Sequence, residues 1–191
     1  MLLQGLNRRA PDSPSLDAID CDLPGSLLDL AIECRSKSVI ETLLEYHFDV
    51  GLCLDGHLRT AVKSQQMEII ELLLQHGAKP NSNDDWHFCS ILELAIETKN
   101  ENVVRILLNH NADVNAIYGD RTPLTRALEV STRAIVELLL RNGADVNYVD
   151  KFKKAPLMYA IKYKHGKDIL QLLLNLNADV NLENEDGETP L

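Results

Sequence analysis

The chain has 191 residues, of which 45% are hydrophobic, 25% are charged and only 5% are aromatic. Its formal net charge of −10 argues against binding to nucleic acid or to anionic membranes, because both depend on a positive field. No apolar stretch approaches the roughly 20 residues that span a bilayer, and the run from Met1 to Leu6 is too short for a signal-peptide core. We therefore expect an intracellular protein, cytoplasmic or nuclear, with a core of Leu, Ile, Val and Ala in packed helices.

Residue types associated with catalysis or metal binding form no recognisable constellation. The four cysteines, at positions 21, 34, 53 and 89, show neither a Cys-x-x-Cys pair nor the spacing of a zinc site, which predicts reduced thiols. The chain also lacks a glycine-rich phosphate loop and a His-x-x-x-His pair. We expect no cofactor, no metal and no enzymatic activity.

Residues 1–21 come first along the chain. They contain prolines and polar residues without any period, which predicts a flexible N-terminal arm. From residue 22 onward the sequence repeats itself, and an alanine in the first half of each unit recurs every 30 to 34 residues. These alanines are Ala31, Ala61, Ala95, Ala127 and Ala160. They define five units, at about 22–51, 52–81, 82–115, 116–147 and 148–181.

Each unit is predicted to contain two helices. The first begins at a capping residue such as Ser90, and Pro123 stands at a first helical position, where its missing N–H is not needed. The second carries paired leucines and ends where Gly77 or Gly143 permits a left-handed turn. Asparagine, the next most tolerant residue, takes that place in two other units, as Asn111 and Asn177.

The segments Thr122-Pro-Leu124 and Gly143-Ala-Asp-Val-Asn147 resemble the signature of ankyrin repeats, and the resemblance covers about residues 22–191. It implies an all-α fold, an ankyrin-repeat solenoid of helix-turn-helix units with extended finger loops. It also implies a non-catalytic module for protein–protein interaction. The last residues, 182–191, resemble the start of a sixth, truncated repeat.

The chain departs from the ankyrin pattern at one recurrent position. The family places a histidine after Thr-Pro-Leu, where it links the turns of adjacent repeats. Here that position holds Asp29, Arg59, Glu93, Thr125 and Met158. The histidine network must therefore be replaced or missing, and we expect a stack less stable than an idealised one. Repeat two has also lost most of its finger, and repeat five has one extra residue between its helices.

The resemblance implies that a partner contacts the fingertips and the exposed face of the first helices. The fingertip candidates are Trp86, His87 and Cys89, then Tyr118 and Arg121, then Lys151, Phe152 and Lys154. The first-helix candidates, at positions expected to point outward, are Glu97, Glu129, Lys162 and Tyr163. Trp86 is the strongest of them, because Trp, Tyr and Arg are enriched at interface hot spots. The alternative for Trp86 is packing onto the next finger.

Charge is distributed unevenly along the chain. From Asp12 to Asp55 there are ten acidic residues and two basic ones, whereas from Asp150 to Asp168 there are six lysines and two aspartates. This predicts a partner protein with an acidic segment over repeat five, although a solvated surface explains the lysines equally well. The alternation of lysines and aromatic residues between 151 and 164 also fits a nucleic-acid binder, which the net charge disfavours.

Two kinds of protein binder remain open at this point, and so does the oligomeric state. One is a scaffold, inhibitor or target-recruiting subunit, and the other resembles the viral or bacterial ankyrin effectors that capture a host protein in the host cytosol. The resemblance also identifies Asn115, Asn147 and Asn181 as candidates for β-hydroxylation, as in eukaryotic ankyrin repeats. A structural role in the turn explains these asparagines as well.

Overall fold

The computed structural model describes residues 27–45, 54–82, 89–130 and 132–190. Within these ranges the chain forms ten α-helices in five consecutive pairs, which confirms the all-α fold. The helices are α1 Leu27–Glu33, α2 Lys37–Glu45, α3 Leu54–Lys63, α4 Met67–Gln75, α5 Ile91–Glu97, α6 Glu101–Asn109, α7 Pro123–Val130, α8 Arg133–Arg141, α9 Pro156–Lys162 and α10 Lys167–Asn175. None of them is long and apolar enough to cross a membrane. The arm predicted at 1–21, residues 50–53 of the shortened finger of repeat two, Trp86 and His87 lie outside the described residues.

The helices stack in two layers. The first helices α1, α3, α5, α7 and α9 pack against one another in order, and the second helices α2, α4, α6, α8 and α10 form the adjacent layer. The repeated alanine of the first helices is fully buried, with 0% exposure, at Ala61, Ala95, Ala127 and Ala160. A methyl group lets these short helices approach closely, and a larger side chain there would force them apart. The period of the alanines is therefore the period of the stack.

The second helices supply branched side chains to a core that continues from repeat to repeat. One position in this helix is fully buried in repeats one to four, as Ile40, Ile70, Val104 and Val136. Burying each such side chain contributes roughly 1.5–3 kcal/mol relative to leaving it exposed. Because the faces of neighbouring repeats cover one another, each repeat is stabilised mainly by the next.

Two residues that replace the family histidine reach into the following repeat. Asp29 Oδ1 lies 2.6 Å from Nδ1 of His57. Arg59 Nη2 donates to the carbonyl oxygen of Cys89 at 2.6 Å. Different side chains therefore take over the histidine's task at the first two junctions.

Two other replacements cap their own helix. Ser90 Oγ accepts from the backbone N–H of Glu93 at 3.0 Å, and Glu93 Oε2 accepts from the N–H of Ser90 at 3.2 Å. Thr122 and Thr125 exchange an equivalent pair of hydrogen bonds, at 3.3 and 3.0 Å. Burial raises the pKa of the Glu93 carboxyl above its ordinary value, although the Ser90 N–H opposes the shift. Asp29 and Arg59 thus link neighbouring repeats, whereas the other two polar replacements cap their own helices. Met158 has no hydrogen-bond donor in its side chain.

The turns after the second helices follow the prediction. Gly77 and Gly143 have φ of 97° and 86°, and Asn111 and Asn177 have φ of 62° and 63°, which confirms left-handed helix ends. A second left-handed position lies between the two helices of a repeat, where φ is 54° to 57°. It is held by Arg35, Gln65, Lys99 and Lys164. The sequence did not reveal this second turn because no glycine marks it.

The longer loop of repeat five keeps a contact with repeat four that shorter loops also make. The loop between α9 and α10 covers residues 163–166, whereas the loop between α3 and α4 covers 64–66. His165 Nε2 lies 2.7 Å from the carbonyl oxygen of Leu128. Gln66 makes the corresponding contact at the junction of repeats one and two, where its Nε2 donates to the carbonyl of Ile32 at 2.8 Å.

Candidate functional site: the face of repeats three to five

Asparagines fix the base of each finger to the next repeat. Asn147 Nδ2 donates to the carbonyl of Asn177 at 3.0 Å, and its Oδ1 accepts from the N–H of Asp179 at 2.8 Å. Asn81 and Asn115 make the same pair of bonds with the repeat that follows each of them. This asparagine ladder sets the spacing of the finger loops 116–121, 148–154 and 182–188.

The ladder also bears on the candidates for hydroxylation. Asn115 and Asn147 use both polar atoms of their carboxamides in it. The side chain of Asn181 has no partner among the described residues, although its N–H donates to Asp179. The structural role therefore accounts for Asn115 and Asn147, and modification of the three stays a prediction.

A carboxylate of repeat two binds the backbone N–H that the ladder binds in later repeats, but it does so within its own repeat. The sequence has Gly51 where the later repeats have asparagine. Asp55 Oδ1 accepts instead from the N–H of Lys79, at 2.7 Å. Lys79 holds the position that Asp113 and Asp145 hold in the next repeats, so the same backbone N–H is bound by a different side chain.

Charged side chains of repeats three and four form a connected network on the face of the first helices. Arg126 Nη2 donates to Glu97 at 2.6 Å, and its Nη1 lies 3.3 Å from Glu129 Oε2. Arg121 pairs with the same carboxylate oxygen. Only 9% of the Glu129 side chain is exposed. The expectation that Glu129 points outward is therefore wrong, because two guanidinium groups close over it.

Tyr163 extends this network into repeat five. Its hydroxyl donates to Glu129 Oε1 at 3.2 Å, and its ring stacks on that of Tyr159 with the centroids 6.3 Å apart. The ammonium group of Lys162 lies 5.1 Å from the centre of the Tyr163 ring, within the range of a cation–π contact. The structure thus brings Glu97, Glu129, Lys162 and Tyr163 together across three successive repeats.

A buried carboxylate shapes the finger of repeat five. Asp150 Oδ1 accepts from the N–H groups of Phe152 and Lys154, both at 2.8 Å, and its Oδ2 accepts from the hydroxyl of Tyr159 at 2.5 Å. Burial, together with the neighbouring Asp150, raises the pKa of the Tyr159 hydroxyl well above its ordinary value. The hydroxyl therefore stays protonated and continues to donate, which holds finger 148–154 against α9.

The three fingertip candidates of repeat five lie together on this finger. Lys151 pairs with Asp120 of the preceding finger, so it joins two fingers. The ammonium groups of Lys151 and Lys154 lie 5.2 and 5.8 Å from the centre of the Phe152 ring. The Phe152 side chain is itself exposed and is available for contact.

The other described candidates are held differently. Cys89 is half-buried against the core, and its carbonyl oxygen accepts a hydrogen bond from Arg59. It therefore belongs to the junction of repeats two and three. Tyr118 is half-buried, and its backbone exchanges hydrogen bonds with Arg121 at 3.2 and 3.3 Å. Cys89 therefore lies apart from the network, whereas Arg121 belongs to it.

A pocket of about 270 Å³ lies between α9 and finger 182–188. Met158 and Ile161 contribute apolar surface to it. Its charged lining has both signs, with Lys154, Lys162, Asp186 and Glu188. This end of the face is therefore less uniformly basic than the sequence suggested.

Sequence reasoning missed two exposed apolar residues on the fingers. Ile117 and Val149 are 56% and 40% exposed. They hold the same position in successive fingers, two residues after Asn115 and Asn147. The signal was available, because both stand at matched places in loops that are otherwise largely polar.

The face offers groups for non-covalent recognition: paired charges, hydroxyls, aromatic rings and exposed apolar side chains. Among the described residues, no three His, Cys, Asp or Glu side chains are arranged to hold a metal ion.

Comparison with known proteins places the chain in a family. The family model for "Ankyrin repeats (3 copies)" matches residues 28–118, 58–150 and 130–191. An ankyrin repeat protein of Rickettsia felis is 26% identical over 172 residues, which are 86% of this chain and 44% of the relative. The ankyrin repeat and SOCS box protein 6 of Homo sapiens is 35% identical, and that of Pongo abelii 34%, over 138 residues, 69% of this chain and 25% of each relative. The chain thus spans less than half the length of these relatives. It belongs to the ankyrin-repeat family, whose members are generally non-catalytic protein-interaction modules.

Proposed function

We propose that the chain is the non-catalytic recognition module of a scaffold, an inhibitor or a target-recruiting subunit, and that it binds a partner protein through repeats three to five. The observation that carries this proposal is the network from Glu97 through Arg126 and Glu129 to Tyr163, which joins three successive repeats. A network of this kind holds polar side chains in place before a partner arrives. Less side-chain entropy is then lost on binding.

The shape of the face fits a protein better than a small ligand. A stable protein interface buries roughly 800 Å² on each partner, which three first helices and two fingers can supply. The pocket between α9 and finger 182–188, of about 270 Å³, is below the roughly 300–1,000 Å³ typical of small-molecule sites. Phe152 and Tyr163 provide exposed aromatic rings, a residue class enriched at hot spots.

The relatives support two biological settings. The name of the human relative joins ankyrin repeats to a SOCS box, which favours a subunit that recruits a target. The relative from Rickettsia felis is bacterial, which favours the alternative of a viral or bacterial effector that captures a host protein. We place the protein in the cytoplasm or nucleus in the first setting, and in the host cytosol in the second.

Binding of nucleic acid has weaker support. The lysines near Phe152 and Tyr163 fit stacked bases beside a charged backbone. The neighbouring finger, however, exposes Glu183, Glu185, Asp186 and Glu188, and the whole chain carries −10. Such a field repels phosphate.

Affinity capture with the full chain, followed by titration of the purified partner, tests the proposal. The double variant Phe152→Ala, Tyr163→Ala removes both exposed rings and should weaken binding roughly tenfold or more. Circular dichroism should show that the variant keeps its helices, although loss of the Tyr163 hydrogen bond to Glu129 lowers its melting temperature. Arg141→Ala is the matched control, because Arg141 is exposed on the second helix α8. If the double variant binds normally and the control loses binding, the partner binds the layer of second helices, and the proposed face is wrong. If no captured protein binds the purified chain directly, the proposed function is wrong.

A further inference from the structure

The fingers of repeats four and five carry exposed apolar side chains that the stack itself does not need. Most exposed large apolar residues in the described part of the chain belong to the helices, or the helix ends, of the first and last repeats. The others are Met67, Ile117, Val149 and Phe152. Three of these four lie on two adjacent fingers, and we call Ile117, Val149 and Phe152 the finger strip.

The backbone beneath the finger strip is held firmly. Asn115 and Asn147 bond to the repeats that follow them, and the ion pair between Lys151 and Asp120 joins the two fingers directly. The Asp150 carboxylate closes the turn that carries Phe152. The apolar side chains are thus presented in a fixed arrangement, which lowers the entropic cost of binding to them.

Positive charge lies beside the finger strip. Lys153 and Lys154 directly follow Phe152, and neither forms an ion pair with a carboxylate among the described residues. These cations are free of ion pairs within the described part of a protein whose net charge is −10, although Lys154 also lines the pocket that holds Asp186 and Glu188. A ligand with carboxylates would gain from them, because opposite charges across an interface favour encounter and orientation.

The next finger sets a boundary. At the position that Ile117 and Val149 hold, finger 182–188 has the exposed Glu183, followed by Glu185 and Asp186. The apolar surface therefore ends at that finger, and acidic groups of a ligand are repelled from it. Carboxylates of a ligand fit over finger 148–154 and its apolar groups fit over both fingers.

We propose that the finger strip docks a segment of the partner protein in which apolar residues are flanked by acidic ones. This inference rests on the proposed function and names the chemistry of the partner. It also narrows the predicted position of the acidic segment from repeat five as a whole to its finger, because Asp186 and Glu188 share the pocket with Lys162 of α9.

Selection of a displayed library of random peptides against the full chain tests the proposal without knowledge of the partner. Selected peptides should be enriched in Asp or Glu next to Leu, Ile, Val or aromatic residues, and their affinity should fall as salt is added. The double variant Ile117→Ser, Val149→Ser and the double variant Lys153→Glu, Lys154→Glu should each bind them roughly tenfold less tightly. Met67→Ser and Lys63→Glu are the matched controls, since both residues are exposed on repeat two and should leave affinity unchanged. Thermal melting of each variant shows that it folds.

Three results would overturn the inference. One is enrichment of neutral or basic peptides, and another is binding that the finger variants leave intact. The third is tighter binding of a single-stranded oligonucleotide than of any selected peptide. Peptides that bind but ignore the finger variants would still support a protein-binding module, so the inference can fail while the proposed function stands. Failure of the proposed function shows separately, in the capture experiment.

Discussion

Replacing Asn147 by alanine tests whether the asparagine ladder holds neighbouring repeats together. The substitution removes the carboxamide that donates to Asn177 at 3.0 Å and accepts from Asp179 at 2.8 Å. A neutral hydrogen bond contributes about 0.5–1.5 kcal/mol net, and these two bonds are exposed, so we expect a loss of about 1–2 kcal/mol. In a chain of this size the loss lowers the melting temperature by about 2–8 °C.

Asn181→Ala is the matched control, because Asn181 is exposed at the same place in its repeat and its carboxamide has no partner among the described residues. Urea denaturation followed by circular dichroism measures both variants, and equal m-values show that the same surface unfolds. We expect Asn181→Ala to cost less than about 0.5 kcal/mol. Equal losses at Asn147 and Asn181 would refute the reasoning, since the residue type and not the ladder would then set the effect.

Three further predictions concern single side chains. Tyr159→Phe leaves the buried Asp150 carboxylate without one donor and should cost about 1–3 kcal/mol in urea denaturation. Folding raises the pKa of Tyr159 above its ordinary value of 10.0, so the stability of the wild type should fall as the pH rises above about 10. Tyr159→Phe should lack this fall, and parallel curves of stability against pH would contradict the expectation. Glu93→Gln should be more stable than wild type at neutral pH, because burial raises the pKa of Glu93 and folding opposes its charge. That advantage should shrink as the pH falls to the ordinary value of 4.5, and a pH-independent difference would count against it. Lys153 has a left-handed φ of 53°, so Lys153→Gly should stabilise the chain by up to about 1 kcal/mol. Lys154 does not have a positive φ, so Lys154→Gly should destabilise the chain. The opposite order would show that strain in this finger is negligible.

The fold followed from the sequence because its signals are local and periodic. Alanine in the first helix, leucine pairs in the second, and glycine or asparagine at the turn each act within a few residues of their position. Gly143 and Asn177 show this, since their left-handed φ was expected from residue type alone. The left-handed φ of Lys99 was not expected, because no glycine or asparagine marks that position and only the structure shows the turn between α5 and α6.

The candidate face was harder to predict because its partners lie far apart along the chain. Glu129 looked exposed from its place in the helix, but Arg121 and Tyr163, which bond to it, stand eight and 34 residues away. Asp55 likewise binds the N–H of Lys79, although the ladder position four residues earlier holds Gly51, and no repeat alignment would indicate this change of residue. Periodicity predicts which residues share one face of a helix. It does not predict the ion pairs between repeats, because these depend on the length and direction of each side chain.

The prediction of a stack less stable than an idealised one also remains to be measured. Four replacements of the family histidine form hydrogen bonds, but two of them act only within their own helix. Glu93 and Thr125 therefore cap α5 and α7 without tying repeats together.

Hydrogen–deuterium exchange of the chain, with and without its captured partner, shows whether the partner binds the face of repeats three to five. We expect binding to protect the first helices α5, α7 and α9 and the fingers 116–121 and 148–154, while the second helices keep their free-state exchange. Protection confined to α6, α8 and α10, or to repeats one and two, would contradict it.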